Sequence, residues 1–418
     1  MTEPEVRRDR FDADEVTRWI TEHAHRLDLH DAAAPLRDLG PLASIVDQGV
    51  VVGLARPTHG AHELSTLTHR VMRYLVETLG FRTLAVEEDW TTGVEIDRYL
   101  RSGHGDPRAL LRDAFEPCQN EEFLDVLRWL RGWNEQHPHD HVRFVGLDVS
   151  GVQAVAYDAI ADHVRRRAPD LLDELEAHLS VIRPTAGVAD HTERYAALAD
   201  KSPVLDHAHR TYDLVAGLPA GDDQASALQH ARVIVSYYEL HAIDPAAQMT
   251  YLEARLADNL IWWHNQTGHK ILYWSGSHSS VGDTRRVDFG PNRSSETSRN
   301  AGSYLRKHFG TRYRSGGLTL HHGTIRLDAV PQLVPEPPSG RPDAVLGDLG
   351  LDRFLLDLQS DHPLTVRAWL EAPARFRLIG PGYRPAEDAS HHMSGGSLTD
   401  WFDFTIHHHQ VTPTRPLA

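Results

Sequence analysis

The chain has 418 residues, 40% of them apolar and 24% charged, and a formal charge of −16 at neutral pH, so it is long enough for two or three domains and too acidic to be expected on a nucleic acid. Cys118 is the only cysteine, which excludes an internal disulfide and a cysteine-based metal cluster. No apolar run approaches the roughly 20 residues that span a bilayer, and the N-terminal MTEPEVRRDRFDADE has no apolar stretch of the secretory kind. No membrane partner is therefore expected, and the cytoplasm is the expected compartment.

Basic residues are nearly all arginine, with lysine only at Lys201, Lys270 and Lys307, and histidine is abundant at 29. No single arginine or histidine is therefore evidence by itself. In chain order, four apolar, β-branched runs predict buried strands at 49–54, 83–86, 142–147 and 270–274. Between the first two, Leu64, Leu67, Val71, Leu75 and Leu79 form a helical stripe, with Gly80 where a C-cap glycine belongs. Phe123, Val126, Leu127 and Leu130 form a second stripe, expected to end near Gly132. Strands alternating with helices predict a parallel-sheet α/β core flanked by helices. Residues 151–262 read as a helical insertion between the third and fourth strands. The α/β core is accordingly expected at 1–150 and 263–330. Short mixed runs after the proline-rich VPQLVPEPPSGRPD predict a small α+β closing element at 331–418.

The chemistry-bearing residues share one position in this scheme. His59 follows the first strand, and Glu87, Glu88 and Asp89 follow the second. Asp148 follows the third, and Ser277 and His278 follow the fourth. In an open parallel sheet, ligands bind outside the carboxyl ends of the strands. His59 is thus a candidate general base, Glu87 its partner or an activator of water, and His278 a third member in the small-residue loop WSGSHSS. Arg56, His62, Glu63, Trp90, Asp148 and Ser277 are candidate substrate contacts. Each has a plainer reading. His59 can be a helix-entry residue, Glu87 a helix cap, the His278 loop a flexible surface turn, and Asp148 or Asn134 an ordinary turn residue. HGAHE is neither HExxH nor HxxEH, so no metal is expected there. The pairs at 321–322 and 391–392 carry no signal, and HHH at 407–409 reads as an alternating strand. GxSxG, Walker and GxGxxG motifs are absent.

Several stretches in order resemble the erythromycin esterase family, which includes succinoglycan-biosynthesis-type proteins. They are VVGLARPTHGAHE, HRVMRYLVETLGFRTLAVEEDW, LDVLRWLRGWN, VRFVGLDVSG, ARLADNLIWW, ILYWSGSH and FDFTIHHHQVTPTRPL. The resemblance implies an α/β core with a helical insertion and a metal-independent, cofactor-free hydrolysis of a macrolide-like ester or lactone. His59 would be the base, with Glu87 and His278 completing the site. Three departures stand out. The family's Gly-Glu falls on Ala55-Arg56, its late motif commonly has two histidines where only His278 stands, and its Arg-Asp before ADN reads Leu252-Glu253. Arginine cannot serve as a base, and beside His59 it disfavours the imidazolium. Arg56 therefore either holds an anionic substrate group or pairs with Glu87 and silences the site. Three activities follow: hydrolysis in this pocket; a water-free cyclisation, elimination or acyl transfer on a carboxylate-bearing intermediate of natural-product biosynthesis; or binding without turnover, for self-protection.

Overall fold

A computed structural model describes residues 12–28, 30–219, 221, 223–290, 295–327 and 330–418. The first eleven residues, on which most of the leader reading rests, lie outside them. The strands are, in chain order, β1 His25–Arg26, β2 Val51–Ala55, β3 Phe81–Asp89, β4 Arg143–Asp148, β5 Lys270–Ser275, β6 Arg285–Phe289, β7 Glu296–Ser298, β8 Tyr313–Leu327, β9 Val330–Val334, β10 Arg353–Asp357, β11 Phe376–Arg377, β12 His391–Ser394 and β13 Phe404–Val411.

The central sheet runs β1-β10-β13-β8-β2-β5-β3-β4, with β9 hydrogen-bonded to β8. From β13 to β4 every pairing is parallel. The protein is thus α/β with a mostly parallel sheet, as the alternation of strands and helices predicts. Successive side chains of β5 divide between two cores. Leu272 and Trp274 enter one and Ile271 and Tyr273 the other. This two-sided burial is why the run reads as continuously apolar.

The first helical stripe forms the helix His62–Leu79, ended by Gly80 at φ 73°, whose N–H donates to the Leu75 carbonyl. The second stripe forms Glu121–Gln136. Gly132 lies inside that helix rather than ending it, because the chain continues helically through Trp133, where the ring stacks on Trp129. β3 runs three residues beyond the expected end. Asp89 closes it and caps the next helix, accepting from the Thr91 and Thr92 backbones. Between β4 and β5 the described residues hold helices from Ala154–Arg167 to Pro245–Thr267, packed on the Tyr273 face.

The C-terminal segment does more than close the molecule. Its strands β10 and β13 extend the central sheet, and β13 lies parallel to β8. A second, antiparallel sheet of order β11-β12-β6-β7 stands beside the carboxyl edge. None of the described helices is long and apolar enough to cross a membrane.

Candidate active site

The strand order brings the site together. β5 lies between β2 and β3, with Leu54 level with Trp274 and Trp274 level with Val86. The loops that follow these three neighbours therefore open side by side. They carry Arg56 and His59 after β2, Ser277 and His278 after β5, and Glu87 at the end of β3. The loop after β2 is tied down at Gly60, whose carbonyl accepts from the Arg326 and Thr414 backbones.

Arg56 is buried under the Trp274 ring, 4.9 Å from its centroid. Its Nε donates to the Ser275 carbonyl at 3.3 Å, and its Nη2 donates to His59 Nδ1 at 2.8 Å. A guanidinium only donates, so this bond fixes the tautomer: His59 Nδ1 is the acceptor and Nε2 carries the proton. That Nε2 lies 3.2 Å from Glu87 Oε1. Burial, then Arg56 and His278, hold His59 well below the usual histidine range. Burial draws the Arg56 guanidinium down to about 10 against the pull of Glu87. Arg56 reaches Glu87 only at 3.9 Å, so its closest partner is the imidazole.

Glu87 accepts the Gly276 N–H at 2.9 Å through Oε2, and the same oxygen lies 3.5 Å from His278 Nε2. Burial raises its pKa above the usual carboxylate range, with His278 and Arg56 opposing. His278 Nδ1 is 2.9 Å from Glu253 Oε1, on the helix Pro245–Thr267. Burial would lower the His278 value, yet Glu253 and Glu87 outweigh it and the net shift is upward. Glu253 is fully buried. It also accepts from Arg285 Nη2 at 2.6 Å and from the Ala301 backbone at 2.7 Å. Arg285 donates in turn to the Ser277 hydroxyl. The result is a continuous polar relay, Arg56, His59, Glu87, His278, Glu253 and Arg285, in which neutral His59 stands between the Arg56 guanidinium and the Glu87 carboxylate.

The relay opens into a cavity of about 390 Å³, within the range of small-molecule sites. His59, Ser277, His278 and Arg285 line its polar end, and Phe115, Met249, Val287, Phe289, Leu378 and Ile379 its walls. The second sheet thus supplies much of the apolar wall. Arg326 also lines the cavity and makes no ion pair among the described residues.

The structure divides the sequence-predicted residues. His59, Glu87 and His278 meet, with Arg56 behind His59 and Ser277 beside them. His62 faces away: its Nδ1 is 2.6 Å from Glu122 Oε1. Glu63 accepts from the backbone and hydroxyl of Thr412, both at 2.6 Å. The helix that begins at His62 points the Glu63 side chain at the C-terminal segment and the His62 ring at the helix Glu121–Gln136. Trp90 is buried against Trp262 and Trp263 and lines no cavity that the relay reaches. Asp148 lies in a neighbouring cavity with Glu87, Glu88 and Asp89, which meets the first at Phe115. Asn134 is a buried turn clamp that bonds the Val142 backbone in both directions. Glu253 and Arg285 were missed as site residues. Glu253 stands out in the sequence only as a departure from Arg-Asp, and Arg285 is one arginine among many.

An imidazole–carboxylate relay opening into an apolar cavity at the carboxyl edge of a parallel sheet is an arrangement able to move a proton to or from a bound small molecule. A profile of the erythromycin esterase family matches residues 76–411, and the chain belongs to that family. The match includes Glu87, Glu253 and His278 and begins after Arg56 and His59. Among curated proteins, an erythromycin esterase type II of Escherichia coli is 29% identical over 131 residues, 31% of each chain. A putative hydrolase, YbfO, of Bacillus subtilis is 25% identical over 169 residues, 39% of this chain and 36% of that one. The chain thus matches about a third of the length of these relatives. Three solved structures share the fold over nearly the whole chain. A Bacillus cereus protein has a TM-score of 0.84 at 24% identity, covering 97% of this chain and 99% of its own. A succinoglycan biosynthesis protein has 0.83 at 23%, covering 96% and 98%. A mutant of the erythromycin esterase EreC in its open conformation has 0.69 at 14%, covering 94% and 98%.

Proposed function

We propose that the protein hydrolyses a carboxylic ester or lactone of a bulky, largely apolar secondary metabolite, macrolide-like in size, without a metal at the scissile bond. The observation that carries this reading is the Glu253–His278 pair beside Glu87 at the mouth of the apolar cavity. Glu253 takes the Nδ1–H of His278, which leaves the Nε2 lone pair facing Glu87 and the cavity. This is the arrangement of a general base held by an orienting carboxylate.

In the proposed step, neutral His278 removes a proton from water and the hydroxide oxygen attacks the acyl carbon. The tetrahedral oxyanion collapses, the C–O bond breaks, and the leaving alkoxide takes the proton back from His278. This reading gives the base role to His278 rather than His59. The Nδ1 lone pair of His59 is taken by Arg56, and its Nε2 already carries a proton. His59 instead supplies an N–H, polarised by Arg56, that turns from Glu87 toward the oxyanion. The anion-holding role expected of Arg56 passes to Arg326, which lines the cavity while Arg56 is buried behind His59.

The test is mass-spectrometric turnover on a panel of macrocyclic lactones and aryl esters, with chelator present, for wild type, His278→Asn, His59→Ala and Arg326→Ala. The expected result is addition of one water, lost by at least about 10³-fold in His278→Asn. Full activity in that variant removes His278 as the base. An isobaric or water-losing product would replace hydrolysis by the water-free chemistry. Ligand binding with no turnover in any variant would leave a binding protein.

A further inference from the structure

A second cluster of histidines lies outside the relay, on the neighbouring strands β8 and β13. Their parallel register sets Leu320 beside His408 and His322 beside Gln410, so His321 and His409 sit level. Their rings stack with centroids 4.8 Å apart and planes within 8°. The His322 ring stands perpendicular to both, 5.2 Å from His321 and 5.1 Å from His409. His321 Nδ1 and His322 Nδ1 are 3.0 Å apart. Each of the three residues offers one ring nitrogen, and all three nitrogens lie within 4.8 Å of one another.

We propose that His321, His322 and His409 form a binding site for a divalent first-row transition-metal ion, which clips β13 to β8. The ligand set chooses the metal class. Three neutral imidazoles suit zinc, nickel, cobalt or copper, whereas magnesium and calcium require oxygen ligands. Three protein ligands leave a coordination position for water, and the Asp348 carboxylate stands at the edge, 3.9 Å from His321 Nε2.

Part of the site is preorganised. The His321 ring is held under the short helix Pro342–Gly347, where even a β-carbon on Gly347 would lie 2.1 Å from its Cδ2. The His321 carbonyl accepts from Arg377 at 2.8 Å. The His409 backbone N–H donates to the Asp352 carbonyl at 2.7 Å, while its ring Nδ1 is buried without a hydrogen-bond partner. An orphaned imidazole nitrogen beside two others gains a partner when a metal enters. His322 and His409 are half-exposed, so they are the members free to close on an ion. None of the three lines the relay's cavity, so this site is separate from the catalytic one.

The experiment uses the full chain without an affinity tag, stripped with chelator. It is titrated with zinc, nickel and magnesium by calorimetry, in competition with a chelator of known affinity so that weak surface association is not counted. One tight zinc or nickel ion per chain and no tight magnesium is expected, with a higher thermal midpoint in zinc. His322→Ala and His409→Ala are each expected to weaken binding at least tenfold, and the double variant to abolish it. His207→Ala, which opens the unrelated pair with His178, should leave it unchanged. X-ray absorption on the wild type, which needs no variant to fold, should count three imidazoles on the ion. Absence of a tight ion, a tight ion retained by the double variant, or fewer than three imidazoles overturns the proposal.

Discussion

At the residue scale, one hydrogen bond reassigns the chemistry. An arginine after the first strand looks in the sequence like either an anion clamp or a defect. In the fold it is a lock on the tautomer of His59. Three predictions belong here. Glu253 and Glu87 raise His278, so kcat/KM should rise with pH to a plateau, with a midpoint above the ordinary 6.5 as His278 loses its proton. Glu253→Gln removes the leading upward cause and leaves Arg285 uncompensated. The midpoint should therefore move to lower pH and the plateau should fall; a pH profile of the folded variant that keeps the wild-type midpoint would contradict the pairing. Arg56→Leu removes a nearby positive charge, so the His59 imidazole should titrate at higher pH than in wild type, observable by NMR of labelled histidine. His59, Glu87 and His278 were legible because strand ends are legible. Glu253 was not, since a glutamate on a charged helix carries no sign that its carboxylate will lie 2.9 Å from a histidine 25 residues later.

At the scale of elements, the site depends on how closely helices settle on the sheet. The helix Trp90–Ser102 lies against β4 at Gly93, where an added β-carbon would lie 2.3 Å from the Gly146 backbone nitrogen. Backbone cannot yield as a flexible side chain does. Gly93→Ala should therefore lower stability by about 1–3 kcal/mol, the range of overpacking changes, read as a lower denaturant midpoint with an unchanged slope. Because this helix follows Glu87, Glu88 and Asp89 directly, the variant should also lose activity. The four expected strands were legible from unbroken apolar runs, and the first helix from its stripe and C-cap glycine. β8 was not, and β13 was legible only through HHH at 407–409, which reads as an alternating strand. YRSGGLTLHHGTIRL mixes glycine, arginine and histidine, and it is a strand because β2 and β13 flank it on both sides. Its polar side chains are accommodated by specific contacts, such as Thr319 Oγ1 with His407 Nδ1 at 2.8 Å.

For the whole molecule, the abundance of histidine becomes a statement about stability. Burial, the leading cause in each case, holds His69, His230, His392 and His408 down at about 4. These groups are neutral when folded and take up protons on unfolding below 6.5. Their contribution is complete above about pH 6.5 and is lost as pH falls toward 4, by at most about 1.4 kcal/mol per unit for each group. The thermal midpoint should fall across that window. His230 is a direct check. Its ring stands edge-on to Trp90, and its Nδ1 has no hydrogen-bond partner. His230→Phe should reduce the proton uptake on unfolding at pH 5 by about one, measured from the slope of stability against pH; an unchanged slope would place the acid sensitivity elsewhere.

The sequence by itself determined the α/β class, the family resemblance and the edge at which His59, Glu87 and His278 gather. Those follow from local periodicity and from the rule that parallel strands present their carboxyl ends together. The tertiary structure decided which of those residues touch. Chain order places β5 after a long helical run, but only the sheet places it between β2 and β3, and that insertion sets His278 against Glu87. The same is true of Glu253, Arg285 and the β8–β13 histidines. Their partners are distant in sequence, and no local propensity encodes a pairing that non-local burial and register select.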